Sequence, residues 1–292
     1  DFKTIIDSLK YKKYLTLTLG YNTALFNILY FLLSRKNIIN MDGIEWKRER
    51  WSLPVKLWFY FNEKIAKLFS THMIADHPEI KKHLNTFNLF NKKITIIPYG
   101  ANALSIKSKT SILQKLNLFK NKYAILIARP VPENSILQIV RTFSLKKRDI
   151  KLLILGSYSK TNLYHKFVLN EANSNVVFAG AIYDQEILSD LRSNALFYIH
   201  GHTVGGTNPA LVEALGAGQA IIAHDNKFNR HVAKSAAVYF YDEKSLDNIF
   251  DNLINNKILI KKLRTNAKSE FIKNYQWDYI LDKYEKLLLR YV

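Results

Sequence analysis

Gly205-Gly206-Thr207-Asn208-Pro209 places two glycines, a helix-capping amide and a helix-opening proline ahead of a carboxylate, Glu213. Glycines let a backbone come close to a ligand. Asn at an N-cap and Pro at the first helical position are the chemistry of a helix start. The unpaired N–H groups of such a start bind anions without a basic side chain. Helical side chains lean toward the N-terminus, so Glu213, just over one turn in, is set beside that anion site. A carboxylate beside a phosphate site can hold sugar hydroxyls, which suggests a nucleotide and more specifically a nucleotide sugar. Read alone, the same residues serve equally well as an ordinary strand-to-helix turn with a solvated Glu213.

Arg129 follows the strand-like run Tyr123–Ala128. It is the kind of cation that pairs bidentately with a diphosphate. By position alone it is more simply a surface Arg at a strand end, but a second ligand-type loop in the same αβ series favours a function. Asp42, Glu45, Trp46, Lys47, Arg48 and Arg50 crowd the loop after an earlier strand. Asp42-Gly43 is by itself a turn signal. Loops at strand ends also carry function, and a carboxylate there could bind an acceptor hydroxyl or assist proton transfer. His200, His202, His224 and His231 lack the HExxH spacing and an accompanying acidic cluster, so no metal site is expected. The G-x-S-x-G elbow, the Walker-A sequence and the G-x-G-x-x-G fingerprint are missing, which argues against αβ-hydrolases, P-loop NTPases and the usual dinucleotide enzymes.

The elements that must position these residues alternate. Strands are expected at Tyr14–Leu19, Lys36–Met41, Met73–Ala75, Ile94–Ile97, Tyr123–Ala128, Lys151–Leu155, Val176–Phe178 (ending at Gly180), Ala195–Ile199 and Ala220–Ala223. Helices are expected from Asn22 or Thr23 to about Arg35, Pro54–Phe69, Pro78–Leu84, Ser111–Leu118, Asn134–Ser144, Asn162–Asn170, Asp184–Ser193 and Ile272–Val292. Alternating strands and helices imply parallel sheets covered on both faces. The polar stretch 101–121 is a plausible hinge between two αβ series. The apolar run Leu25–Leu33 is too short for a bilayer, which needs ~20 residues, and reads as a buried helix. Trp51, Leu57, Trp58, Phe61, Ile65, Leu68 and Phe69, flanked by Lys56, Lys64 and Lys67, read first as core and second as a basic amphipathic membrane face.

The 292 residues, 48% of them hydrophobic, suffice for two domains. With no cysteine, disulfides, thiolate metal sites and a Cys nucleophile are excluded, which fits a cytoplasmic protein. The formal net charge of +19 suits nucleic acid, an anionic membrane surface or phosphorylated substrates. Aromatic-basic signatures of RNA modules are lacking, so nucleic acid ranks last. The chain is rich in Lys, Asn and Ile throughout, which weakens any argument from charge.

Six ordered motifs resemble the retaining GT-B glycosyltransferases of family 4, and within them bacterial rhamnosyltransferases of polysaccharide assembly. They are Asp42-Gly43-Ile44-Glu45-Trp46-Lys47-Arg48, Ile74-Ala75-Asp76, Ile97-Pro98-Tyr99-Gly100-Ala101, Ala128-Arg129-Pro130-Val131-Pro132-Glu133-Asn134, Gly205-Gly206-Thr207-Asn208-Pro209 and Phe228-Asn229-Arg230. The resemblance implies an α/β chain of two Rossmann-like domains with parallel sheets facing across a cleft. Residues 1–101 would be the acceptor-side domain, shortened at its start and completed by the C-terminal helix 274–292. Residues 102–273 would hold the nucleotide-sugar donor. Glu213 matches the second Glu of the family's E-x7-E motif, on the donor ribose, and Arg129 matches its diphosphate Arg. Arg129, Asn134, Gly180, His202, Gly205, Gly206, Thr207, Asn208 and Glu213 would form the donor side, and Asp42, Glu45, Trp46 and Arg48 the acceptor side. Asp42, Arg129 and Glu213 would carry the chemistry.

The pattern also departs from the family. Gly205 stands where the first Glu would fall, Asn134 replaces the diphosphate Lys, and His231 replaces another Glu. The αβ units that relatives carry before the part matching Tyr14 are missing, which puts the activity of so shortened a chain in question. The implied reaction is transfer of a hexose or deoxyhexose, first of all L-rhamnose from dTDP-rhamnose, to a lipid-linked saccharide at the inner membrane face, with no metal or other cofactor. UDP-galactose or GDP-mannose is the alternative donor, and a nonenzymatic basic module for anionic lipid or nucleic acid is the alternative class.

Overall fold

The computed structural model describes residues 2–11, 14–86, 93–104 and 111–292. The expected hinge, 101–121, therefore lies partly outside the described residues. Two compact units emerge: residues 1–99 with Gly205–Thr207 and Trp277–Val292, and residues 100–204 with Asn208–Gln276.

The first unit runs α1 (Phe2–Ser8), β1 (Thr16–Leu19), α2 (Ile28–Leu32), β2 (Asn37–Asn40), α3 (Leu53–Phe69), β3 (His72–Ala75), α4 (Pro78–Asn85) and β4 (Ile94–Ile96). Its four strands lie in the order β1-β2-β3-β4, all parallel, with Ile39 opposite Met73 and Met73 opposite Ile94. Every residue of β2 and β3 is buried, as parallel strands covered on both faces require. Polar members of these strands find partners: Asn37 Oδ1 accepts from Thr18 Oγ1 at 2.9 Å, and His72 Nε2 meets Thr95 Oγ1 at 2.9 Å.

Two expectations fail here. The helix expected to reach Arg35 is a short 3₁₀ turn, Ala24–Asn27, followed by the five residues of α2. Ser34 takes φ +52 and turns the chain, and the Arg35 N–H closes onto the Tyr30 carbonyl. Only Ala24, Asn27 and Tyr30 are buried in this stretch, while Phe31, Leu32 and Leu33 are exposed, so the run is not a buried helix. In α3 the core reading of the aromatic stripe fails for Leu57, Trp58 and Phe61, which are exposed. The inward face belongs instead to Phe59, Asn62, Glu63, Ile65, Ala66 and Lys67, because a buried ion pair, Lys67 Nζ to Glu63 Oε1 at 3.1 Å, anchors it.

The second unit runs α5 (Ser111–Lys115), β5 (Tyr123–Ile127), α6 (Ile136–Ser144), β6 (Lys151–Leu155), α7 (Leu163–Asn170), β7 (Val176–Phe178), α8 (Gln185–Asn194), β8 (Phe197–His200), α9 (Pro209–Gly216), β9 (Ile221–His224), α10 (Lys227–Ala233), β10 (Ala237–Phe240), α11 (Glu243–Asn255) and α12 (Lys257–Asn274). The parallel sheet has the order β10-β9-β8-β5-β6-β7. Successive residues of β5 feed opposite faces: Ile125 packs with Leu153, Tyr198 and Leu211, while Ala124 and Leu126 pack with Ile139, Phe143 and Phe197. The order grows outward in both directions from β5 and β8, so the topological switch lies between those two strands. In open αβ sheets ligands bind beside the C-terminal ends of the strands at that switch.

No element is expected between Ala223 and Ile272, where α10, β10, α11 and most of α12 lie. The helix expected from Ile272 also joins α12 to the last helix, α13 (Trp277–Leu288). The helix instead ends at Asn274, with Tyr275 as its C-cap, and Gln276 pairs with Ala101 in an isolated bridge. In the first unit, Ile280 and Leu287 of α13 share a buried cluster with Ile38, Ile74 and Ile97, and Tyr284 accepts from Asn40 Nδ2 at 3.1 Å.

Candidate functional site

In the second unit, Asn208 takes the N-cap of α9, its Oδ1 accepting from the Ala210 N–H at 3.0 Å. Such a cap stabilises a helix by about 1 kcal/mol. Glu213 follows on the exposed side of α9, with its side chain 48% accessible. It is not a freely solvated helix residue: Arg192 Nη2 of α8 donates to its Oε2 at 2.7 Å, and that Arg side chain is 2% accessible. Arg129 is exposed in the loop after β5, and its carbonyl accepts from Val131 N at 2.8 Å and Asn134 Nδ2 at 2.7 Å. Asn134 is thus buried and shapes the Arg129 loop with its amide. The two loops that flank the switch, after β5 and after β8, also bond to each other: the Glu133 carbonyl accepts from the Thr203 N–H at 2.9 Å and from Thr203 Oγ1 at 3.0 Å.

His202 stacks on His200 with ring centroids 4.3 Å apart. Its carbonyl accepts from Asn226 Nδ2 and Asn229 Nδ2, both at 2.9 Å, so the Phe228-Asn229-Arg230 motif supports the β8 loop from α10. Burial first, then His202, Arg192 and His224, hold His200 neutral, far below the usual histidine value. Gly180 ends β7 at φ +73, and β5 and β6 stand between that outer strand and β8.

In the first unit, Asp42 adopts φ +50 after β2. Its N–H donates to Asn40 Oδ1 at 3.0 Å, and its Oδ1 accepts from Tyr99 Oη at 3.0 Å. Glu45, Trp46 and Arg48 turn inward. Glu45 is a hub that accepts from Arg48 Nε at 2.6 Å and from Arg50 Nη2 and Trp51 Nε1, both at 3.2 Å. Trp46 Nε1 donates to Glu63 Oε2 at 2.7 Å. Both Glu45 oxygens are therefore spent on folding their own loop, and Asp42 is the more open carboxylate of the pair.

Gly205–Thr207 also belongs to the first unit, where the loop meets a residue that sequence reasoning passed over as a site. Asp76, after β3, is 2% exposed, and its Oδ2 accepts from the Thr207 N–H at 2.6 Å. Gly206 packs so closely that an added Cβ would lie 2.1 Å from Asp76 Oδ2. One amide of the expected anion-binding loop is thus already given to an internal carboxylate; among the described residues, the Gly205 and Gly206 amides make no such bond. Burial first, then the neighbouring Asp42 carboxylate, push the Asp76 carboxyl up to about 8, against the opposing pull of the Thr207 N–H and Arg48.

Among the described residues no three His, Asp or Glu side chains group as a metal site. No described helix is long and apolar enough to cross a membrane.

Residues 10–102 match the model of a domain of unknown function, DUF1972, and residues 108–270, more than half of the chain, match the glycosyl transferases group 1 family. An uncharacterized glycosyltransferase of Methanocaldococcus jannaschii is 21% identical over 249 residues, 81% of this chain. This chain spans 64% of that relative's length. A sucrose-phosphate synthase from Thermosynechococcus elongatus superposes with a TM-score of 0.81 at 16% identity, over 99% of this chain and 78% of the other. Anabaena HepE, solved in complex with UDP-glucose, gives 0.81 at 14% identity over 99% and 81%. A glycosyltransferase from Rickettsia africae gives 0.77 at 18% identity over 99% and 79%. The two parallel αβ sheets are those of the GT-B fold. With the family model matched across β5 to α12, the strands and helices that carry Arg129, Asn208 and Glu213, the chain belongs to the glycosyl transferases group 1 family.

Proposed function

We propose that the protein is a retaining, family-4 type glycosyltransferase that moves a hexose or deoxyhexose from a nucleotide sugar to a saccharide acceptor. L-Rhamnose from dTDP-rhamnose is the first choice of donor, and a lipid-linked saccharide in cell-surface polysaccharide synthesis the first choice of acceptor. The observation that carries the reading is Glu213, a half-exposed carboxylate just inside a capped helix that leaves the sheet at its topological switch. A fold relative solved with UDP-glucose supports a nucleotide sugar as the donor class. In this reading Arg129 and the start of α9 take the diphosphate, and Glu213 takes a hydroxyl of the nucleotide's pentose. Negative charge that develops on the leaving diphosphate is met by the same cation and helix dipole, which act without reorganising. Arg129 and the helix dipole make a metal unnecessary. Asp42 faces the acceptor, held by Tyr99.

An apolar strip on α3 supports an acceptor held at a membrane. Leu53, Leu57 and Phe61 recur every four residues and are 70%, 59% and 54% exposed. Lys56 and Lys64 stand on the same helix, a pattern that suits a headgroup boundary.

The test is donor turnover with dTDP-rhamnose, UDP-galactose and GDP-mannose, with and without EDTA, the product anomer being read by NMR. One donor should be consumed in preference, with retained configuration and no effect of EDTA. If no donor is consumed or bound, the reading falls. Complete loss with EDTA sinks its metal-free part.

A further inference from the structure

Arg192 is an unusual residue to bury. Its side chain is 2% accessible, and a guanidinium cannot shed its charge to suit such a place. Both terminal nitrogens of its fork are engaged. Nη2 donates to Glu213 Oε2 at 2.7 Å, and Nη1 donates to Gln219 Oε1 at 3.4 Å. Its guanidinium carbon lies 5.3 Å from the centroid of the Tyr198 ring. Gln219 in turn donates from Nε2 to the Arg192 carbonyl at 3.0 Å, which locks the arginine's own backbone. Among the described residues, Glu213 is the carboxylate paired with it.

The asymmetry of the pair matters. The cation is sunk and fixed, while the anion is half exposed. A surface Glu on a helix samples several rotamers and must be frozen when a ligand uses it. Here the freezing is already done. With Oε2 taken by Arg192, Oε1 makes no bond to another described residue, on a side chain that is 48% accessible.

We propose that Arg192 is a positioning residue of the nucleotide site: it holds Glu213 so that Oε1 stands ready for a hydroxyl of the nucleotide's pentose. This rests on the donor-site reading of Glu213 above. A purely structural role, gluing α8 to α9, would lower affinity for any ligand alike. Positioning would lower only the part of the affinity that depends on the pentose hydroxyls.

The experiment is calorimetric titration of the full chain with UDP, dTDP and GDP, each beside its 2′,3′-dideoxy form. Arg192→Met should weaken whichever parent nucleotide binds by about tenfold, the worth of one ordered long side chain. It should leave the dideoxy form within about twofold, and add nothing in a Glu213→Ala background. Glu213→Gln covers the case in which Arg192→Met does not fold. Arg192 can only donate, so it will pin the amide oxygen and present the amide nitrogen where Oε1 stood. The hydroxyl then meets a neutral donor in place of a carboxylate acceptor, so Glu213→Gln should bind more weakly than wild type, at most as weakly as Glu213→Ala. Equal losses for parent and dideoxy nucleotides, or a Glu213→Gln variant that binds like wild type, overturn the role of Arg192 and leave the donor site standing. If none of the three nucleotides binds the wild type, the donor-site reading falls, and the role of Arg192 falls with it.

Discussion

Asp76→Asn exchanges a buried carboxyl for a neutral group of the same shape. The Asn oxygen can still accept from the Thr207 N–H, which Asp76 does at 2.6 Å. In the fold, burial and Asp42 push the Asp76 carboxyl from 3.8 up to about 8. Across that interval the folded chain keeps a proton that the unfolded chain has released. Stability from this group is therefore complete below the unfolded value and is lost as pH climbs toward about 8. The slope is about 1.4 kcal/mol per pH unit. Asn does not titrate, so its curve lacks the slope. From roughly pH 5 to roughly pH 7 the advantage of Asp76→Asn over wild type should grow by about 2.7 kcal/mol. Urea unfolding of both proteins at several pH values, followed by circular dichroism, reads the difference directly. Parallel curves across this window would refute the placement of a protonated carboxyl against Gly206 and Thr207.

Glu63→Ala strips the buried Lys67, 3% accessible, of its counter-ion and should cost about 3–5 kcal/mol in urea unfolding at neutral pH. In wild type, burial alone would raise the Glu63 carboxyl, but His83, Lys67 and Trp46 outweigh it and hold the group down to about 2. Its contribution should thus be intact above the unfolded value of 4.5 and fade as pH falls toward about 2. Gly206→Ala would set a Cβ 2.1 Å from Asp76 Oδ2. The loop must shift, so this variant should lose stability, and thermal melting unchanged within a degree would contradict the packing. Leu57→Ser with Phe61→Ser removes exposed apolar area alone. It should lower sedimentation with anionic vesicles and leave donor hydrolysis unchanged; unaltered vesicle binding would exclude α3 as the membrane face.

The described strands other than β10 are legible because parallel strands buried on two faces appear as largely apolar runs, as in Tyr123–Ile127 and Lys151–Leu155. Asn208 and Pro209 announce α9 by local chemistry alone. Partners distant in sequence are not legible in this way. Asp76 looks like a turn residue until Thr207, 131 residues on, donates to it. Arg192 and Glu213 stand 21 residues apart and meet only in the folded second unit. Glu63 and Lys67 read as an ordinary surface pair four residues apart, and nothing local announces that both are buried. Glu45 misleads in the opposite way: a carboxylate among cations at a strand end resembles a ligand group, yet its three donors come from its own loop. For α11 a signal exists, the reciprocal cap between Asp242 and Ser245.

Arg129 and Glu213 are proposed to hold a nucleotide sugar at the switch of the second sheet. Calorimetric titration of wild type, Arg129→Ala and Glu213→Ala with the preferred donor tests it most directly. One donor should bind per chain in wild type, and each variant should weaken it by about tenfold or more, the scale of one charge-assisted hydrogen bond. Wild-type affinity retained in both variants would contradict the claim.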